Sequence, residues 1–121
     1  MILVDSSIWI DHFRTGNQHF SQLLSEREVC IHSWIIGELA CGYLHPRKSV
    51  LATLNKLPQI LCATESEVLH LIESQKLIGT GIGYLDMHLL ASARLQEVKL
   101  WTRDRRLQKA AADFRIAYSP A

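Results

Sequence analysis

Four carboxylates are the residues that could do chemistry together in this sequence: Asp5, Glu38, Asp86 and Asp104. The first ends the opening apolar run, residues 1–4, and the last closely follows another apolar run, residues 98–101. The two middle acids lie in segments that are otherwise apolar or small. If the fold gathers all four at one spot, they cannot all stay ionised without a cation. An all-oxygen set of ligands predicts Mg²⁺ or Mn²⁺.

Length and composition predict one soluble domain spanning residues 1–121. A chain of 121 residues can bury a core, and its 48% of hydrophobic residues exceeds a disordered composition. Its apolar runs are too short for a transmembrane helix or a signal peptide. The three scattered cysteines are typical of a reduced, cytoplasmic protein. A net charge of +1 indicates that any patch for nucleic acid must be local.

Periodicity and turn residues predict alternating strands and helices. Strands are predicted at residues 1–4, 28–32, 60–63, 98–101 and 114–118. Helices are predicted at residues 8–13 and 18–26, from residue 33, between the prolines at 46 and 58, and at residues 64–77, 85–95 and 105–112. Ser6 and Ser7 offer hydroxyls to cap the first helix, and Thr64 with Glu67 matches a capping box.

This alternation predicts an α/β fold whose parallel sheet is covered by helices on both faces. Right-handed crossovers bring the carboxyl ends of the strands to one edge, where ligands bind. Asp5 ends the first strand and Asp104 follows a late one. If these two strands are neighbours, both acids flank the crevice.

Each acid also has an ordinary structural explanation. Asp5 and Asp104 precede helices, where Asp is a preferred N-cap, and Asp86 falls in a first helical turn, where it suits the dipole. At about 100° per residue, Glu38 lies opposite the apolar face of its helix, as a solvated glutamate would. The chain has twelve Asp and Glu in all, so chance placement is an alternative. The placement of two acids at one predicted edge favours a site.

Four segments, in this order and spacing, resemble a PIN domain, and more narrowly the VapC toxins of bacterial toxin–antitoxin pairs. They are Val4-Asp5-Ser6-Ser7, Glu38-Leu39, the run from Gly81 to Ala91 around Asp86, and Trp101-Thr102-Arg103-Asp104. The resemblance extends from residue 1 to about residue 113. The Asp86 segment is its most specific part.

The resemblance implies a four- or five-stranded parallel sheet and a Mg²⁺- or Mn²⁺-dependent endoribonuclease that acts on RNA through the four acids. It also implies a homodimer, a cognate VapB-type antitoxin whose C-terminal segment covers the acidic pocket, and a heterotetramer or larger complex with that antitoxin. Two departures stand out. Ser6 replaces the family's usual Thr, and Arg105-Arg106 stands where many members carry a further acid. The second departure leaves the number of metal ions open.

These residue types suit phosphodiester hydrolysis. The reaction needs an activated water and charge neutralisation on the leaving oxygen, which two hard cations about 4 Å apart can supply. We expect Asp5, Glu38 and Asp86 to form the tighter site, with Asp104 completing it or helping a second. The hydroxyls of Ser6 and Thr102 can orient the ligands.

Three arginines cluster around Asp104: Arg103, Arg105 and Arg106. They could grip RNA phosphates. Alternatively, they form a solvated first helical turn or a salt bridge to Asp104. A zinc site using Cys41 and His45 is disfavoured because the usual spacings are missing.

Three other functions compete with a toxin ribonuclease. A phosphorylation-controlled receiver domain has similar length, but it needs adjacent acids after the first strand, where this chain has Ser6 and Ser7. A catalytically inactive PIN-like module would bind RNA or protein only. A housekeeping RNA-processing nuclease would share the chemistry without the antitoxin.

Overall fold

The computed structural model describes residues 1–120, in which three strands alternate with seven helices. The strands are β1 (Ile2–Val4), β2 (Val29–Cys30) and β3 (Lys99–Trp101). The helices are α1 (Ser6–Thr15), α2 (Gln18–Ser25), α3 (Ser33–Ala40), α4 (Arg47–Lys56), α5 (Glu65–Ser74), α6 (Tyr84–Leu95) and α7 (Arg105–Asp113). No helix in this part of the chain is both long and apolar enough to cross a membrane.

The three strands form one parallel sheet in the order β2-β1-β3. Leu3 pairs with Cys30 on one side and with Leu100 on the other. The prediction that the first strand and the late strand are neighbours is therefore confirmed. The chain moves from β1 outward to β2 and returns past β1 to β3, which places a reversal of strand order at β1. A crevice is expected at the carboxyl ends of such strands.

One further segment extends each side of the sheet by a single parallel bridge. Ile31 pairs with Gln59 beyond β2, and Leu100 pairs with Ala117 beyond β3. These segments correspond to the predicted strands at residues 60–63 and 114–118, and both are shorter than predicted. On the first side the ladder ends early because the chain after Ile31 turns into α3, whose N-cap is His32. The Ala63 N–H instead donates to Ser92 Oγ of α6 (2.9 Å).

The core surrounds the sheet on both faces. Successive residues of a strand point to opposite faces, and all three residues of β1 are buried, with at most 6% exposure. Both faces must therefore be covered by helices, as predicted for a parallel sheet. A rigid, buried β1 gives the acid that follows it a fixed position.

Two helix boundaries differ from the sequence prediction for clear local reasons. Helix α1 begins at Ser6, because the N-cap is Asp5, whose side chain accepts from the Ser6 N–H; the prediction that the serines cap a helix starting at Ile8 was wrong. The capping box of Thr64 and Glu67 is confirmed. Helix α5 ends at Ser74, short of Leu77, because Lys76 turns to a φ of 55° and the Leu77 N–H returns to the Ile72 carbonyl.

Candidate active site

Asp5 and Asp104 lie at the same edge of the sheet, after two hydrogen-bonded strands. The Asp5 N–H continues the ladder by donating to the Trp101 carbonyl oxygen (2.9 Å). Asp5 is buried, with 8% of its surface exposed, whereas Asp104 is exposed at the start of α7. Asp104 caps α7 by accepting from the backbone N–H groups of Arg106 and Leu107. The structure thus brings these two acids to the edge where the sequence predicted them.

The hydroxyl of Thr102 joins the two acids. Thr102 is buried, and its Oγ1 donates to Asp5 Oδ2 (2.8 Å) while accepting from the Asp104 N–H (3.1 Å). The other oxygen of Asp5 accepts from the Ser6 N–H (2.7 Å). Both oxygens of the Asp5 carboxylate are therefore held in place by the protein, which suits a ligand that must be oriented in advance.

Thr102→Val should lower RNA cleavage about 10- to 100-fold, the usual effect of removing a group that orients a metal ligand. Valine has nearly the same shape but cannot bond to Asp5 or to the Asp104 amide. We expect the metal concentration for half-maximal cleavage to rise as well, which a loss of stability alone would not cause. Thr102→Ser keeps the hydroxyl and should retain most activity. Equal cleavage by the Val variant and the unaltered protein would exclude this role.

Glu38 projects from the last turns of α3 and is exposed, as a solvated glutamate would be. The pKa of Glu38 nevertheless shows an interaction with the charge of Asp5. Partial burial raises the pKa of the Glu38 carboxyl, the charge of Asp5 raises it further, and interaction with the Ser6 hydroxyl opposes the rise. Ser6 therefore lies between two of the four predicted acids.

The pKa of Asp86 is affected by all three of the other acids. It lies in the first turn of α6 and is half-buried. Burial is the largest cause that raises the pKa of the Asp86 carboxyl to about 6, and the charges of Asp5, Asp104 and Glu38 add to it. A carboxyl group whose pKa is raised by three other carboxylates must lie close enough to interact with the charge of each of them. The electrostatics thus couple Asp86 to the other three acids, and we call these four residues the acidic cluster.

The cluster is not a ready-made coordination shell. Within residues 1–120, no three His, Cys, Asp or Glu side chains are arranged so that they could hold a metal ion. Asp5 and Asp104 each turn an oxygen toward protein donors, and like charges favour separation. The set consists of carboxylates supported by hydroxyls, which is the donor chemistry of hard divalent cations. The chemistry of this donor set therefore fits such an ion.

The three arginines around Asp104 separate in space. Arg103 forms an ion pair with Asp11 of α1. Arg106 reaches toward the loop before α6, with its Nη1 3.5 Å from the Gly81 carbonyl oxygen. The ion pairs found in the described residues do not involve Asp104, so the alternative of a salt bridge holding that acid is not observed. Asp11 was not singled out from the sequence, and nothing in its helical spacing signals this pair.

Buried His32 positions the start of α3 and therefore the helix that carries Glu38. Its Nδ1 accepts from the Trp34 N–H (3.0 Å), while its Nε2 is buried without a partner among the described residues. Histidine is not among the preferred N-cap residues, so sequence reasoning missed this cap. Burial, and to a smaller extent the charge of the nearby His88, lower the pKa of His32 to about 4.

Because its pKa is lower in the folded state, His32 stabilises the fold above pH 6.5 and loses that contribution as pH falls toward 4. The unfolded chain takes up the proton first, and the loss amounts to about 2 kcal/mol. His32→Asn keeps a side-chain acceptor for the cap. We expect the difference in unfolding free energy between the two proteins, measured with urea, to shrink by about 2 kcal/mol between pH 7.5 and pH 4.5. A constant difference between His32→Asn and the unaltered protein would contradict this origin of acid sensitivity.

Comparison with known proteins agrees with this fold. Residues 2–113 match the profile of the family described as PIN domain. Ribonuclease VapC32 of Mycobacterium tuberculosis, from strains CDC 1551 and H37Rv, is 42% identical over 118 residues, which cover 97% of this chain and 95% of that protein. The chain therefore belongs to the PIN-domain family, in its VapC ribonuclease branch. This membership excludes the receiver domain.

A solved structure shares the fold at lower sequence similarity. PAE2754 from Pyrobaculum aerophilum superposes with a TM-score of 0.61 and 19% identity, covering 90% of this chain and 78% of that one. At this identity the likeness concerns the fold alone. It supports the α/β architecture with a parallel sheet.

Proposed function

We propose that this protein is the toxin of a toxin–antitoxin pair and that it cleaves RNA phosphodiester bonds at the cluster of Asp5, Glu38, Asp86 and Asp104. The observation that carries the proposal is the Thr102 hydroxyl that joins Asp5 to Asp104 at one edge of the sheet. Burial and the charges of Asp5, Asp104 and Glu38 raise the pKa of Asp86, which agrees with it. A protein has little reason to gather uncompensated negative charge unless a cation or a reaction uses it. Membership of a ribonuclease family supplies the substrate class.

PIN-domain ribonucleases generally depend on divalent metal ions, and we propose Mg²⁺ or Mn²⁺ here. When bound, such an ion activates water for attack on phosphorus and neutralises charge on the phosphodiester. Asp5, Glu38 and Asp86 would hold it, and Asp104 would complete the site. Carboxylates suit both ions, while the softer ligands of zinc or copper sites are missing from this group.

Neighbouring residues orient or stabilise three of the four carboxylates. Thr102 and the Ser6 amide hold the Asp5 carboxylate through both oxygens, so it remains ready to bind without rearrangement. The Ser6 hydroxyl stabilises charge on Glu38. Asp104 keeps one oxygen on the α7 amides, which leaves the other for the site. Burial of Asp5 excludes water from one side of the cluster and strengthens its interaction with a cation.

The proposed biological setting follows from the VapC branch. We propose that a cognate VapB-type antitoxin binds and inhibits this protein, that the toxin forms a homodimer, and that both join in a heterotetramer or larger complex. We place the protein in the cytoplasm, as one domain over residues 1–121.

Cleavage of total RNA by the purified protein tests the function. We expect fragments with Mg²⁺ or Mn²⁺, none after EDTA, and recovery when the metal ion is restored. Co-expressed antitoxin should suppress cleavage. Intact RNA under all metal conditions, from folded and antitoxin-free protein, would favour the catalytically inactive module. Cleavage with no antitoxin encoded beside the gene would favour housekeeping RNA processing.

A further inference from the structure

A second concave surface lies beside the acidic cluster and is basic. A cavity of about 380 Å³ is bounded by the α5–α6 connection and α7. Three cationic side chains line it: Lys76 from the connection, and Arg106 and Lys109 from α7. One acid, Asp113, also lines it, so the charged side chains sum to +2. We call this surface the basic pocket.

The cations of the basic pocket are not engaged by carboxylates. None of the ion pairs found in residues 1–120 includes Lys76, Arg106 or Lys109. Arg106 makes one long hydrogen bond, to the Gly81 carbonyl oxygen (3.5 Å), and a guanidinium has five donors. Most of its hydrogen-bonding capacity therefore remains available for an anion.

The missing side chain of Gly81 leaves space for the Arg106 side chain. A Cβ on Gly81 would lie 2.5 Å from Arg106 Nη1 and 2.9 Å from its Cζ, and the residue has a φ of +82°. The positive φ favours glycine, and the Arg106 side chain occupies the space that a Cβ would need. The loop that leads to Asp86 therefore also contacts the basic pocket.

Helix α7 connects the two surfaces directly. Asp104 caps α7, while Arg106 and Lys109 follow two and five residues later. At 1.5 Å per residue, Lys109 lies about 7.5 Å along the axis from the acid. Both cations therefore lie within two turns of the acid on one helix.

We propose that the basic pocket binds an RNA phosphate that neighbours the scissile one on the same strand. The inference rests on the proposed function, since it assigns a second contact to the same substrate. Arg106 would grip the phosphate through paired N–H donors, and Lys109 and Lys76 would add charge. Arg103 takes no part, because Asp11 neutralises it. The contact is independent of base identity and sets the register of the RNA on the metal site.

Binding of a fluorescein-labelled oligouridylate, followed by fluorescence anisotropy over a KCl series at fixed Mg²⁺, tests this proposal. All proteins carry Asp5→Asn, so that RNA is not cut. Arg106→Gln and Lys109→Gln should each weaken binding about three- to tenfold and reduce the slope of log K against log salt by about 0.7 per lost contact. Asp113→Asn should tighten binding. Lys56→Gln, on α4 and outside the pocket, should leave affinity and slope unchanged.

Two results would overturn the basic pocket as an RNA site. One is an affinity and salt slope for Arg106→Gln and Lys109→Gln equal to those of Lys56→Gln. The other is weakened binding of the antitoxin with unchanged binding of RNA, which would assign the pocket to an acidic peptide. A parallel cleavage assay with Asp5 intact distinguishes failure of the basic pocket from failure of the proposed function. If that protein cuts RNA while the pocket variants bind normally, only the pocket is wrong; if it never cuts RNA, the proposed function fails.

Discussion

Asp5→Asn should reduce metal-dependent RNA cleavage at least about a hundredfold, the scale seen when a group that stabilises transition-state charge is removed. The substitution removes one negative charge from the buried ligand position. It keeps the fold, because Asn caps a helix as well as Asp does and can still accept from the Ser6 N–H. The amide NH₂ group takes the place of Oδ2 and can donate to the Thr102 hydroxyl oxygen. The loss of activity should therefore occur without a loss of stability.

Initial rates of cleavage of a defined RNA, with saturating Mn²⁺ and matched protein concentrations, measure this effect. Glu73→Gln serves as the control, since it removes one carboxylate charge from an exposed position on α5. The control should cleave at the unaltered rate. Undiminished cleavage by a folded Asp5→Asn protein would remove Asp5 from the site and with it the proposed mechanism.

Asp86→Asn should stabilise the metal-free protein and abolish both cleavage and stabilisation by metal. Because the pKa of Asp86 is raised to about 6 in the folded state, its ionised form costs stability at neutral pH. Removing that charge should add about 1 kcal/mol, after allowance for screening of a half-buried group. The gain should be complete above pH 6 and vanish toward pH 4, where Asp86 is protonated in both states.

Urea unfolding in EDTA measures the stability of the metal-free protein, and urea unfolding in Mn²⁺ measures its stabilisation by the metal ion. The unaltered protein should gain stability with rising Mn²⁺, as expected when a ligand binds only the folded state. Asp86→Asn should be more stable in EDTA and respond weakly to Mn²⁺. Glu73→Gln should follow the unaltered protein in both solutions. An Asp86→Asn protein that is destabilised in EDTA would show that the carboxylate has a structural partner, in conflict with a cluster of uncompensated charge.

The parts of the fold that could be predicted are those with strong local signals. The buried runs that became β1 and β3, and the capping box at Thr64, were visible because each depends on residues close in sequence. The edge segments were predicted too long, because their extent depends on where the neighbouring strand ends, as when the chain after Ile31 turns into α3. The start of α1 was missed because Asp, Ser and Ser are all good N-caps, and choosing among them requires the position of the strand.

In the site, too, some features follow from the sequence and others depend on contacts between distant residues. Asp5 and Asp104 were placed at one edge by topology, which follows from strand order. The coupling of Asp86 to Asp5, Asp104 and Glu38 depends on how α3 and α6 pack, and periodicity carries no such information. Likewise, the basic pocket joins Lys76 to residues of α7 that lie about thirty positions away in the sequence. The arginines looked like one cluster in the sequence, but Asp11 removes one of them from it.

The most direct test of the four-carboxylate site is the anomalous scattering of Mn²⁺ in a crystal of the unaltered protein. We expect a peak enclosed by Asp5, Glu38 and Asp86, near Asp104, with carboxylate oxygens about 2 Å away. The peak should be missing from crystals of Asp86→Asn grown in the same solution. A peak bound to other residues, or one that survives the loss of the Asp86 charge, would contradict the assignment of these acids to a single metal site.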